Sequence, residues 1–141
     1  MFVPKKTKFR KVNKISISGP ATSCNTVSFG SFGLKVLENV KITSKQIEAI
    51  RKVISRTLKR TGLLYIRIFP HLPVTKKALG VRMGGGKGGV ESWIAAVNYG
   101  TVIIEVDNVS EELAREAFAK ATYKLPIQCI MVKRKFAYNN Q

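Results

Sequence analysis

Histidine is all but absent from this sequence and cysteine is scarce: His71 stands alone, and the only cysteines are Cys24 and Cys129. Metal centres are built from clusters of such ligands, so no bound metal is expected. The two cysteines lie far apart in unlike surroundings and read as reduced structural residues. Apolar runs are short. None reaches the roughly 18 residues that cross a bilayer, and no apolar stretch near the N-terminus suits a secretory signal. Catalytic patterns are missing too: there is no G-x-S-x-G, no acid beside His71, and nothing like H-R-D or D-F-G. Neither an enzyme nor a cofactor is expected.

The largest deficit is of acid. Eight Asp and Glu face 25 Lys and Arg over 141 residues, giving a net charge of +17 and a pI near 10.3. Charge of one sign opposes compaction unless a polyanion neutralises it. Nucleic acid is the first candidate and an anionic membrane surface the second. Apolar residues make up 45% of the chain, enough for one domain with a packed core. No repeat, linker or low-complexity segment divides residues 1–141.

The stretch Arg82-Met83-Gly84-Gly85-Gly86-Lys87-Gly88-Gly89 is the least generic in the chain. Such a glycine run forms helix or strand only at a cost, but it tolerates positive φ and close backbone approach. Strand-like segments flank it, Ala78 to Val81 before and Val90 to Val97 after. Gly84, Gly86 and Gly89 satisfy G-x-G-x-x-G, yet that fingerprint needs a helix immediately afterwards, and Val90 to Ile94 reads as strand. A Walker A loop fails because Val81 and Gly88 stand at two of its required positions. The remaining readings are a surface hairpin tip and a finger that contacts RNA.

Residues 1–14 carry Lys5, Lys6, Lys8, Arg10, Lys11 and Lys14 with no acid, interleaved with Phe2 and Phe9. A basic RNA-binding arm is favoured over a solvated tail or an organellar transit peptide. Ser28 to Lys35 repeats a Phe-Gly pair, which suggests bends with close backbone approach and rings in the core or in stacks. Thr43 and Gln46 have capping-box spacing, and Gly62 suits a helix stop. Between them Ile47, Ile50, Ile54 and Leu58 fall on one stripe. Lys45, Lys52, Arg56, Lys59 and Arg60 fall on the other, a face of one sign suited to phosphate rather than merely to solvent. Leu63 to Phe69 reads as a strand carrying Arg67 and ended by Pro70. Pro73 and Thr75-Lys76-Lys77 read as a basic connection. Tyr99-Gly100 is a turn from which Thr101 to Val106 pairs back on the strand before it. Ser110 caps a second helix with Leu113, Ala114, Ala117, Phe118 and Ala121 buried. Pro126 precedes a last strand, Ile127 to Val132, and a basic tail follows over 133–141. The expected fold is α+β: a single domain with a mostly antiparallel, barrel-like sheet core and two amphipathic helices on one side.

Pro4 to Lys11, Ser28 to Lys35, Gln46-Ile47-Glu48-Ala49, Ile66 to Pro70, Val81 to Gly84 with Gly86-Lys87-Gly88, and Glu111 to Phe118 stand in the order found in large-subunit ribosomal protein sixteen. The chain resembles that universal L-sixteen family, in its bacterial type, from about Phe2 to Val132. The resemblance implies a structural constituent of the large ribosomal subunit that binds rRNA beside the aminoacyl-tRNA site and supports late assembly. It implies rRNA contacts through the arm, Lys35, the helix-face cations and Arg67. The finger matches at Arg82, Met83, Gly84, Gly86, Lys87 and Gly88, and would reach tRNA near the peptidyl-transferase centre. It departs at Gly85, usually lysine, and Gly89, usually asparagine. Implied partners are rRNA, aminoacyl-site tRNA and neighbouring ribosomal proteins, with no membrane and no homo-oligomer. Abundant Lys, Ile and Asn suggest an AT-rich genome, and the N-terminus starts at the family's own start without a presequence. A mitochondrial ribosome is therefore expected first, with a plastid or a bacterial cytoplasm as alternatives.

Overall fold

The computed structural model describes residues 2–135. Seven strands and two helices follow one another among them: β1 Phe32–Val36, β2 Val40–Thr43, α1 Ser44–Thr57, β3 Leu63–Ile66, β4 Leu72–Lys76, β5 Gly89–Val97, β6 Val102–Asp107, α2 Glu111–Thr122 and β7 Cys129–Lys133. The strands form two sheets, β3-β6-β1-β7 and β2-β5-β4, with every strand pair antiparallel. The α+β class is as expected. The antiparallel core is divided between these two sheets.

The helices form where their caps and stripes predict. The Thr43 side chain accepts from the Gln46 amide while Gln46 accepts from the Thr43 amide, a reciprocal capping box. Ile47, Ile50 and Ile54 point into the core, as does Leu58 just past the helix end. Ser110 caps α2, and Ala114, Ala117, Phe118 and Ala121 are buried. The small alanines let α2 lie close against α1. Helix α1 stops at Thr57 rather than running to Gly62, because Lys59 and Arg60 take left-handed φ values of 49° and 63°.

Several strand expectations are corrected. The strand leading into the finger is β4, which begins one residue before Pro73; Ala78 to Val81 is a turn. Proline is tolerated there because β4 is an edge strand. Strand β3 ends at Ile66, so Arg67 lies just past it. After Tyr99-Gly100 the chain does not fold back on β5. It crosses to the other sheet, where β6 pairs with β1 and β3. The last strand is shifted to Cys129–Lys133, and the tail beyond Lys135 lies outside the described residues.

Strand β6 is buried from Val102 to Val106, as expected of a strand covered on both faces. The unexpected member is Glu105, fully buried. Its carboxylate accepts from three successive backbone amides, Ser28 at 3.2 Å, Phe29 at 2.6 Å and Gly30 at 2.8 Å, and pairs with the Arg67 guanidinium. Consecutive N–H groups converging in this way make an anion nest. Burial alone would push the Glu105 carboxyl up, but the three amides and Arg67 together hold it below the usual carboxylate range. The Phe-Gly repeat makes the approach possible. A Cβ on Gly30 would sit 2.5 Å from the Val106 carbonyl oxygen, and one on Gly33 would sit 2.8 Å from both Val27 and Val102. Phe32 packs against the core, while Phe29 stacks on Tyr65 at 5.7 Å with Arg67 above its ring at 4.8 Å.

Removing a buried partner from such a pair leaves an uncompensated charge. Glu105→Ala is expected to lower unfolding stability by about 3–5 kcal/mol. In contrast, Lys133→Ala, which breaks an exposed pair with Glu111, should change it by about 1 kcal/mol or less. Because the folded carboxyl titrates below its unfolded value, its contribution is complete above about pH 4.3 and fades as pH falls further. Urea melts over pH 3–7 should show that acid loss in the wild type and a weaker one in Glu105→Gln. Equal acid slopes in the two proteins would contradict the assignment.

Candidate nucleic-acid interface

Three cationic features sit on the scaffold, and they differ in how free their charges are. At the C-terminal end of α1 a surface concavity of about 410 Å³ is lined by Arg51, Lys52, Ser55, Arg56, Lys59 and Arg60. Lys52 and Arg56 come from the helix. Lys59 and Arg60 come from the left-handed turn that ends it, held by amide bonds from Lys59 to the Arg56 carbonyl (3.1 Å) and from Arg60 to the Ser55 carbonyl (3.0 Å). Non-glycine residues in that conformation carry strain on the order of 1 kcal/mol each. The turn folds two more cations back over the helix end. The sequence placed these charges together on a helical face; the structure keeps them together through a turn instead.

Arg51 was not anticipated as part of this surface. Its neighbour Glu48 accounts for it: the carboxylate lies 2.6 Å from the Arg51 guanidinium and 3.9 Å from the Lys52 ammonium. The hydrogen bond from Arg51 holds the Glu48 carboxyl below its usual range against the opposing effect of burial. Glu48 thus orients the rim and contributes no lining to the concavity. Lys45 is exposed in the first turn of the same helix, outside the concavity.

The finger spans Lys77 to Gly88 between β4 and β5. Gly84, Gly85 and Gly86 have φ of 100°, 72° and 88°, and a Cβ on any of them would meet open space. Those three are glycine for backbone conformation alone. Gly88 differs, because a Cβ there would lie 2.5 Å from the Lys76 carbonyl oxygen. Lys77 caps the loop internally through its Nζ, 2.6 Å from the Gly84 carbonyl. Arg82 and Met83 are exposed in this loop, as is Leu79. The strand β5 begins directly at Gly89. No helix N-terminus follows the glycines, so the dinucleotide fingerprint lacks its phosphate site.

The arm is the third feature. Lys5, Lys6, Lys8 and Arg10 are exposed. Lys11 donates to the Lys87 carbonyl at 2.8 Å, and the Lys87 ammonium donates to the Val12 carbonyl. The arm and finger are therefore clasped together, and Lys87 faces the arm rather than standing free at the tip. Lys14 continues the arm across the second sheet. Two other residues assigned to RNA have partners inside the protein. Arg67 is largely buried on Glu105, and Lys35 donates to the Asn25 carbonyl at 3.2 Å.

Among the described residues no group of His, Cys, Asp and Glu could hold a metal, and no helix is long and apolar enough to cross a membrane. Both cysteines are free. Cys24 is exposed, its sulfur accepting from the Arg67 guanidinium at 3.7 Å, while burial pushes the Cys129 thiol up to about 11.

The family model described as ribosomal protein L16p/L10e matches residues 4–132. Proteins named large ribosomal subunit protein uL16 match almost end to end. That of Sorangium cellulosum is 54% identical over 134 residues, covering 95% of this chain and 98% of the relative. Those of Spiroplasma citri and Francisella tularensis subsp. novicida are each 52% identical, with coverage of 95% and 96% of this chain and 98% of the relative. The resemblance read from the arm, the Phe-Gly repeat and the finger is borne out.

Reversing Arg56, Lys59 and Arg60 to glutamate should leave the unfolding midpoint nearly unchanged, since none of the three is buried. The same variant should bind a structured RNA more weakly, and its slope of log K against log salt should shrink by roughly two units. Anisotropy titrations across salt concentrations measure this, and an unchanged slope would mean the concavity carries only solvent.

Proposed function

The chain belongs to the ribosomal protein L16p/L10e family, and from that membership we propose that it is built into the large ribosomal subunit as a structural constituent and is not an enzyme. Its basic surfaces seat on large-subunit rRNA beside the aminoacyl-tRNA site. The observation that carries this reading is the α1-end concavity, where five cations converge and no acid is among the lining residues. Phosphates of a folded RNA are the polyanion that such a surface neutralises, each contact releasing counterions. Arginine forks at Arg56 and Arg60 suit bidentate phosphate contact, Lys52 and Lys59 add charge around them, and Arg51, whose fork is held by Glu48, lines the rim.

The finger has a different task. Its glycines leave little to pack, and its tip offers Arg82 and Met83 to whatever lies beyond the protein. In the seat proposed here that partner is tRNA in the aminoacyl site, near the peptidyl-transferase centre. Arg82 would hold a phosphate while the clasp through Lys87 keeps the loop extended. The subunit's late assembly and its neighbouring ribosomal proteins belong to the same reading, as does the absence of a homo-oligomer. On compartment, the relatives named above are bacterial, which favours a bacterial cytoplasm over the mitochondrial matrix.

Arg82→Ala should enter subunits normally but slow aminoacyl-tRNA accommodation roughly tenfold, the value of one charge-assisted hydrogen bond. Gly86→Val should act similarly, because φ of 88° strains a β-branched residue although no atom blocks it. Accommodation rates on purified mutant ribosomes are the readout. Wild-type rates in both would leave the finger a surface turn.

A further inference from the structure

The arm does more than cross the second sheet: it leaves a slot beneath itself. The cavity is about 310 Å³, at the lower end of pockets that hold small organic groups. Its floor is the face of β4 and β5 turned away from the helices, where Leu72 pairs with Ile94 and Val74 lies two residues along. Its roof is the arm, through Val12 and Ile15. The mouth carries three ammonium groups, Lys14, Lys41 and Lys87, and no acid lines the cavity. Asn13 and Thr75 add the polar groups that could read the edge of a bound ring.

An apolar slot with an all-cationic rim is complementary to one ligand chemistry in particular, a flat apolar ring joined to an anion. We propose that this slot takes a single unpaired RNA nucleotide, its base between Ile15 and the Leu72–Val74–Ile94 floor and its phosphate against Lys14, Lys41 and Lys87. The inference rests on the RNA-binding reading above and extends it from phosphate contact to capture of an extruded base, the mode in which proteins recognise single-stranded or bulged RNA. The Lys87 ammonium has three donors and gives one to the Val12 carbonyl, so two remain for phosphate. Val12 and Lys87 are at once slot wall and arm–finger clasp. A nucleotide seated there therefore stabilises the clasp, and with it the extended finger.

The test uses the full chain and fluorescein-labelled RNA hairpins in three forms: unbulged, with one bulged nucleotide tried as each base, and with an abasic residue at the bulge. Wild-type protein should bind at least one bulged hairpin about tenfold more tightly than its abasic form. Val74→Trp fills the slot from its floor and should bring that ratio close to one while leaving affinity for the unbulged hairpin unchanged. Lys41→Gln, which leaves the floor intact, should weaken the bulged complex selectively and serves should the tryptophan variant misfold. Equal binding of bulged and abasic hairpins by the wild type overturns the slot but not the RNA reading. A preference that survives in Val74→Trp overturns it as well. Failure to bind any hairpin overturns both.

Discussion

Charge is the constraint that this structure is arranged around: 25 cations must share one small fold with eight acids. The acids stand where they quiet the surface that packs or orders the protein itself. Glu111 pairs with Arg115 and Lys133, Glu116 with Lys120, and Glu91 with Lys76. Exposed pairs of this kind stabilise little, about 0–1 kcal/mol each. Their effect is on the potential: they leave α2 and β7 with mixed charge, while the end of α1, the arm and Arg82 keep one sign. The surfaces suited to a polyanion follow from that partition, the α1-end concavity and the arm being separate patches of one sign.

Glu105 is the exception that is fully buried, and it makes the first sheet possible in its observed form. By gathering three amides and Arg67, it pins the segment from Ser28 to Gly30 onto the outer face of β6. Gly30 and Gly33 remove the side chains that would block it. The cation that the sequence offered to RNA thus becomes the counter-ion of the core. A basic residue in a basic protein is not thereby an RNA contact; what decides is whether an acid lies within reach in the fold.

The sequence made α1, α2, the class of fold and the single-signed charge cluster legible, because capping boxes and helical stripes are local. Thr43 with Gln46 and Ser110 with its acids needed no tertiary information. The strand connections were not legible. The turn at Tyr99-Gly100 looks the same whether the chain pairs back or crosses to another sheet, and only the burial of β6 on both faces distinguishes the two. Pro73 concealed an edge strand. Lys59 and Arg60 show no residue-level sign of left-handed backbone, and the Lys87 clasp joins positions 75 residues apart. The finger's glycines were legible as a loop, but the division between Gly88, needed for space, and Gly84 to Gly86, needed for φ, depends on coordinates.

Sedimentation of the endogenous protein through a sucrose gradient tests the central claim most directly. A structural constituent held by phosphate contacts should travel with the large subunit at moderate salt and leave it only as salt is raised far enough to screen several ion contacts. Protein found at the top of the gradient under moderate salt, with large subunits intact below it, would contradict the account.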